Sequence, residues 1–114
     1  MENKFEVELL QEVIDFLENI EEKARYKILF NVHKARKVND NKLFKKLTDE
    51  IWEFRTLYNR KQYRLFAFWY KSEDTRTLVV ATHGIIKKTQ KTPKREITKA
   101  MGIMKKYYKE NIKH

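Results

Sequence analysis

The sequence predicts a single α+β domain over residues 1–114: an N-terminal helical hairpin, a small antiparallel sheet of three to four strands, and a closing C-terminal helix. Three observations predict it. Apolar residues recur at three- and four-residue steps before residue 36 and again after Glu96, the period of an amphipathic helix. Between these stretches, from Ile51 to Tyr70, side chains alternate in character, the period of a strand. The 114 residues can bury one core and are too few for two.

Phe5 and Val7 alternate with charged neighbours and suggest a short edge strand ahead of the helices. Leu10, Val13, Ile14, Leu17 and Ile20 then form one helical stripe, and the acidic residues between them face water. After a break at Asn19 to Glu22, the residues Ala24, Ile28, Leu29, Val32 and Ala35 repeat the spacing, so a second helix folds back and the two stripes merge on a common surface. Asn39-Asp40-Asn41 ends this helix, and Lys42 to Thr48 reads as a basic connection anchored by Leu43, Phe44 and Leu47.

In the strand Ile51 to Tyr58, Trp52 and Phe54 point to the helices while Glu53 and Arg55 form a polar opposite face. Asn59-Arg60-Lys61 turns the chain into Gln62 to Tyr70, with Tyr63, Leu65, Ala67 and Trp69 on one face and Arg64, Phe66 and Phe68 on the other. Ser72 to Arg76 is a further polar turn. Leu78 to Ala81 are apolar without alternation, which places that strand in the middle of the sheet, and Gly84 marks a bulge or kink before Ile85 and Ile86. Thr92 is the expected N-cap and Pro93 the first residue of the last helix, whose stripe runs through Ile97, Ala100, Met101, Met104, Tyr107 and Tyr108. Gly102 inside it costs about 1 kcal/mol against alanine unless close packing requires it.

Lysine and arginine number 26 against 16 acidic residues, a net charge of +10 that favours nucleic acid or another polyanion as partner. With no cysteine, disulfides and thiolate metal sites are excluded and the cytosol is the expected compartment. The N-terminus lacks a signal-peptide pattern and no segment reaches membrane-spanning length, so no membrane partner is expected. His33, His83 and His114 lack ligand spacing, and neither a metal nor another cofactor is indicated.

The stretch Leu78 to Ala100 concentrates the chemistry. Lys87, Lys88, Lys91, Lys94 and Arg95 crowd a strand-to-helix junction, where free helix N–H groups already favour anions. Two readings fit: a polyanion site, or a solvated basic loop.

Three ordered motifs add a family resemblance. Ile51-Trp52-Glu53-Phe54-Arg55, then Tyr63-Arg64-Leu65-Phe66, then His83-Gly84-Ile85-Ile86-Lys87-Lys88-Thr89-Gln90-Lys91-Thr92-Pro93 resemble HigB-like toxins of the RelE superfamily, from toxin–antitoxin modules and their phage-derived relatives. Ile85 stands where that family usually has phenylalanine, and the similarity runs from about Leu47 to Ala100. The resemblance implies a RelE-like fold and a type II toxin that enters the ribosomal A site and cuts mRNA. It further implies neutralisation by a cognate helix-turn-helix antitoxin. Several ribosome-dependent members carry a catalytic tyrosine early in the last helix, where this chain has Ile97.

RNA cleavage through the neighbouring 2′-OH needs proton removal, stabilisation of a charged phosphorane, and protonation of the leaving 5′-oxygen. Arg64 is the leading catalytic candidate: a planar, permanently charged group on a strand, at the position of the family's phosphate-contacting arginine. Its alternative is a surface cation or an ion-pair partner. Arg55 lies beside it, and Glu53 is read first as the ion-pair partner of these arginines and second as a base. His83 and Lys88 complete the catalytic candidates, His83 as acid or base near neutral pH or else as a structural ring. Lys87, Lys91, Lys94 and Arg95 are candidate RNA-backbone contacts. Two other functions remain open: a non-catalytic binder, such as a ParE-like gyrase inhibitor or nucleic-acid-binding module, and an inactive phage remnant whose basic face only receives an antitoxin.

Overall fold

A computed structural model describes residues 3–71, 78–88 and 91–111. The elements are β1 (Glu6–Leu9), α1 (Gln11–Glu18), α2 (Glu22–Ala35), β2 (Phe44–Lys46), β3 (Ile51–Tyr58), β4 (Lys61–Tyr70), β5 (Leu78–Lys87) and α3 (Lys94–Glu110). The sheet order is β1-β5-β4-β3-β2, with β1 parallel to β5 and every other pair antiparallel. The α+β class therefore stands, but the sheet has five strands and is mixed, not three to four and antiparallel.

Of the two strands outside the central meander, β1 is the edge strand expected from Phe5 and Val7, and β2 is the addition. Glu6–Leu9 opens the chain and pairs with the start of β5 before Leu10 leads into α1, so a strand precedes the helical pair. Phe44–Lys46, expected as part of a connection, pairs with Trp52 to Phe54 because Phe44 drops into the aromatic cluster of Phe5, Trp52, Phe54 and Trp69. The polar turn expected at Ser72 to Arg76 lies outside the described residues. The turn after β3 places Asn59 and Arg60 at φ 51° and 64°, a two-residue hairpin whose backbone twist suits the flanking strands.

Two apolar layers sandwich the sheet. On one face α1 packs chiefly on β5 and α2 on β3, burying Val13, Leu17, Ile28 and Val32 against Phe54, Tyr63, Leu65 and Val79. On the other face α3 covers Ile51, Phe66, Phe68 and Val80 with Ala100 and Met104. The face assignments read from alternation in β3 and β4 agree with this, yet the polar face of β3 is not wet: Glu53 is buried beneath the α3 side.

Gly84 is not a kink. β5 is continuous through it, and the irregularity comes two residues earlier: Ala81 pairs with Ala67 and His83 with Phe66, leaving Thr82 as an extra residue. Gly84 instead answers a close approach, since a Cβ there would lie 2.5 Å from the Phe16 ring and 2.8 Å from Leu65 Cδ2. Thr92 does not cap α3 either. Pro93 occupies that position, where its ring offers no acceptor, and the Thr92 hydroxyl is held by Lys87 and Glu53.

Gly102 faces open space, with no atom within 4 Å of the place a methyl group would take and no positive φ. Gly102→Ala should therefore raise stability by about 0.5–1 kcal/mol, through helix propensity and a less flexible unfolded chain. Urea denaturation with an unchanged or lower midpoint would contradict this.

Candidate functional site

Strand register builds a cationic cluster. Arg55 on β3 lies directly opposite Arg64 on β4, a like-charge pairing that is unfavourable by itself. Glu53, two residues back on the same face, bridges them: its Oε2 is 3.5 Å from Arg55 Nε and its Oε1 3.5 Å from Arg64 Nε. Both Glu53 and Arg64 are buried, with side chains 3% and 4% exposed. At 3.5 Å the contacts are ion pairs without hydrogen-bond geometry, and neither Nε–H finds a hydrogen-bond acceptor. Arg64 donates instead to Gln62 Oε1 at 2.6 Å and to the Tyr63 carbonyl at 3.2 Å.

The third cation arrives through the bulge. One extra residue at Thr82 inverts the facing of everything after it, so His83, Ile85 and Lys87 lie on the α3 side of the sheet. Lys87 is 5% exposed, and its Nζ donates to Thr92 Oγ1 at 3.0 Å; that hydroxyl donates onward to Glu53 Oε1 at 3.2 Å. The segment leading into α3 is thereby tied to β3. Burial pushes the Lys87 amine below its usual range; Glu53 opposes the shift, while Arg64, Arg55 and Lys45 add to it. Burial also lowers Arg64, with Glu53 opposing and Arg55 reinforcing, although a guanidinium stays charged.

Arg55, Arg64 and Lys87 thus share one carboxylate, an excess of positive charge in a poorly solvated setting where an anion is held more strongly than in water. Beside them an open concavity of about 200 Å³ is lined by Lys42, Arg55, Gln62 and Arg64, and this is where an anion would enter. A larger concavity, about 670 Å³, lies at the other end of β3 and β4. There Lys46, Lys71 and Lys105 are set against Asp49 and Glu50, so it lacks the excess charge of the arginine site.

The remaining candidates divide by position. Lys88 is exposed just beyond β5, Lys91 is exposed ahead of α3, and Lys94 and Arg95 are exposed on its first turn. Arg95 Nε lies 3.5 Å from Glu96 Oε2. These residues form a solvated basic rim. His83 belongs to neither group: it stacks on Phe66 at 4.8 Å, its Nδ1 faces Thr82 Oγ1 at 2.9 Å and its Nε2 faces Glu96 Oε1 at 3.1 Å. The β4 strand separates it from Glu53 by two strand spacings, roughly 10 Å. It fastens α3 to β5. His114 lies outside the described residues, among which no group of His, Asp and Glu could hold a metal ion.

Burial pushes the His83 imidazole below the 6.5 of an exposed ring, with the Glu96 hydrogen bond opposing. The unfolded chain therefore takes up this proton first as pH falls, and stability present above about 6.5 is lost as pH drops toward the lower folded value. The expected result is a loss of stability between about pH 7.5 and 5.5 that is smaller in His83→Gln than in the native protein. Equal losses in urea titrations of the two would contradict it.

Sequence reasoning missed Gln62 and the linking role of Thr92. Gln62 carries no motif, and Thr92 has a simpler reading as a cap.

The fold and site define a small α+β protein with a cation cluster, only partly compensated by Glu53, set in its sheet beneath the start of a helix. Residues 15–105 match the family described as phage derived protein Gp49-like (DUF891), and the chain belongs to that family, which is associated with the toxins of toxin–antitoxin modules. The match takes in the whole cluster. A comparison with curated proteins found no significant match. Among the described residues no helix is long and apolar enough to cross a membrane.

Proposed function

We propose that the protein is the toxin of a type II toxin–antitoxin module and acts as a ribosome-dependent mRNA endonuclease. The observation that carries this reading is the sharing of one buried carboxylate by Arg55, Arg64 and Lys87. A scissile phosphate placed in the adjoining concavity receives the free guanidinium N–H groups, which stabilise the charge that builds up on the phosphorane. The 2′-oxygen attacks phosphorus as its proton leaves, and the bond to the 5′-oxygen breaks as that oxygen gains a proton. We assign that proton to Lys87, which pairs across the strands with Gln62 of the concavity lining and whose hold on its proton is weakened by burial against the opposing pull of Glu53. Lys88, Lys91, Lys94 and Arg95 hold the flanking backbone from the rim.

No free base sits beside the cluster among the described residues. Glu53 is engaged by Arg55, Arg64 and Thr92, and His83 lies beneath α3. This supports dependence on the ribosome, which supplies the missing group or forces the strand into an attack-ready geometry. The same engagement of Glu53 favours a second reading, a binder that docks a polyanion without cutting it.

Induction of the protein without an antitoxin should stop incorporation of labelled amino acid before cell density changes. Continued incorporation in healthy cells would remove the toxin reading.

A further inference from the structure

Helix α2 is apolar on two opposite sides. Its inner side buries Ala24, Ile28, Val32 and Ala35 in the core. Its outer side carries Tyr26 and Phe30, one turn apart, 61% and 58% exposed. Aromatic residues are poorer helix formers than the lysines around them, so they serve neither the core nor the helix at these positions. Two large aromatic side chains held in water on a rigid element mark a contact surface.

The flanks of this ridge indicate what it contacts. Along one side run the exposed residues Lys23, Lys27 and Lys34, with Lys27 Nζ 5.7 Å from the centre of the Phe30 ring. On the other side Leu29 leads into a mainly apolar notch of about 200 Å³, formed with Val7, Leu9 and Val32 between α2 and the edge strand β1 and bordered by His33 and Arg36. An aromatic ridge with a lysine row on one side and an apolar notch on the other is the complement of a segment with one apolar and one acidic edge.

We propose that the outer face of α2 docks an acidic, amphipathic segment of a partner protein, with Tyr26 and Phe30 as anchors and Lys23, Lys27 and Lys34 as charge contacts. A second copy of this chain is a poor occupant, since a two-fold contact would set lysine rows and two charges of +10 against each other. Nucleic acid is also disfavoured, because α1 exposes Asp15 and Glu18 on the same layer of the fold. The surface lies across the sheet from the arginine cluster, so this inference stands independently of the cleavage reading.

The test uses a synthetic peptide of about five helical turns, with leucine along one face and glutamate along its edge, beside a scrambled peptide of the same composition and charge. Fluorescence anisotropy at near-physiological salt should show the amphipathic peptide binding roughly thirtyfold more weakly to Tyr26→Ala/Phe30→Ala than to the native protein, as for loss of a hot spot. The scrambled peptide should bind at least tenfold more weakly than the ordered one. The double variant removes exposed side chains and places good helix formers on α2, so its melting temperature should be no lower than that of the native protein. Undiminished binding by the double variant, or equal binding of the scrambled peptide, would reduce the effect to plain charge attraction and overturn the proposal. Sedimentation showing a dimer that the double variant abolishes would assign the surface to a second copy. An RNA oligonucleotide competing in native protein but not in the double variant would assign it to nucleic acid. Either result would overturn the partner proposed here.

Discussion

Exchange of Arg64 for lysine should lower the rate of translation arrest by at least about a hundredfold, the effect of removing an aimed donor from a charge-stabilising site. The substitution keeps a positive charge near Glu53, so that carboxylate is not left unpaired in the interior. What it removes is the planar fork: lysine cannot hold Gln62 and the Tyr63 carbonyl while presenting further donors to a phosphate. Loss of activity with a near-native melting curve would separate function from folding. Lys99→Ala is the matched control, because Lys99 meets Glu12 at 2.8 Å on an exposed helix face and the change should leave arrest intact. Equal activity of the Arg64→Lys protein and the native protein would show that Arg64 is only an ion-pair partner.

Glu53→Gln should have the largest effect on stability. The carboxylate faces Arg55, Arg64 and Thr92, and its removal leaves buried cations confronting one another. Loss of one partner from a buried charge network costs about 3–5 kcal/mol, a large part of the stability of a domain this size. The melting temperature should fall by roughly 10–20 °C. An inorganic phosphate ion in the adjoining concavity can supply the negative charge that glutamine lacks, so phosphate should restore more stability to this variant than chloride at equal ionic strength. A melting temperature within a few degrees of the native value would mean that Glu53 does not hold the cluster together.

Much of this site is legible in the sequence because alternation is robust within a regular hairpin. Glu53 and Arg55 share a face, and Arg64 lies opposite, as soon as the turn at Asn59-Arg60 fixes the register. The sequence assigns Lys87 to backbone contact and Lys88 to catalysis because no local signal locates the bulge. Thr82 looks like any strand residue, yet its insertion decides which lysine is buried. Gly84 reads as the bulge or kink, which lies two residues earlier, and its role is to make room for Phe16. The short strands are read in part: alternation at Phe5 and Val7 marks β1, but its parallel pairing with a partner about 72 positions away carries no local signal, and the three residues of β2 are too few to show a period. The outward aromatics Tyr26 and Phe30 are hidden in the same way, because they fall between the members of the stripe that builds the core.

Primer extension on one transcript, with and without ribosomes carrying an open A site, tests the cleavage reading most directly. A cluster rich in cations and lacking a free base should bind naked RNA in a salt-dependent way and cut it slowly or not at all, while cutting the same message cleanly on the ribosome. Equally fast cuts on naked transcript would contradict the dependence on the ribosome, and no cuts in either case would contradict cleavage itself.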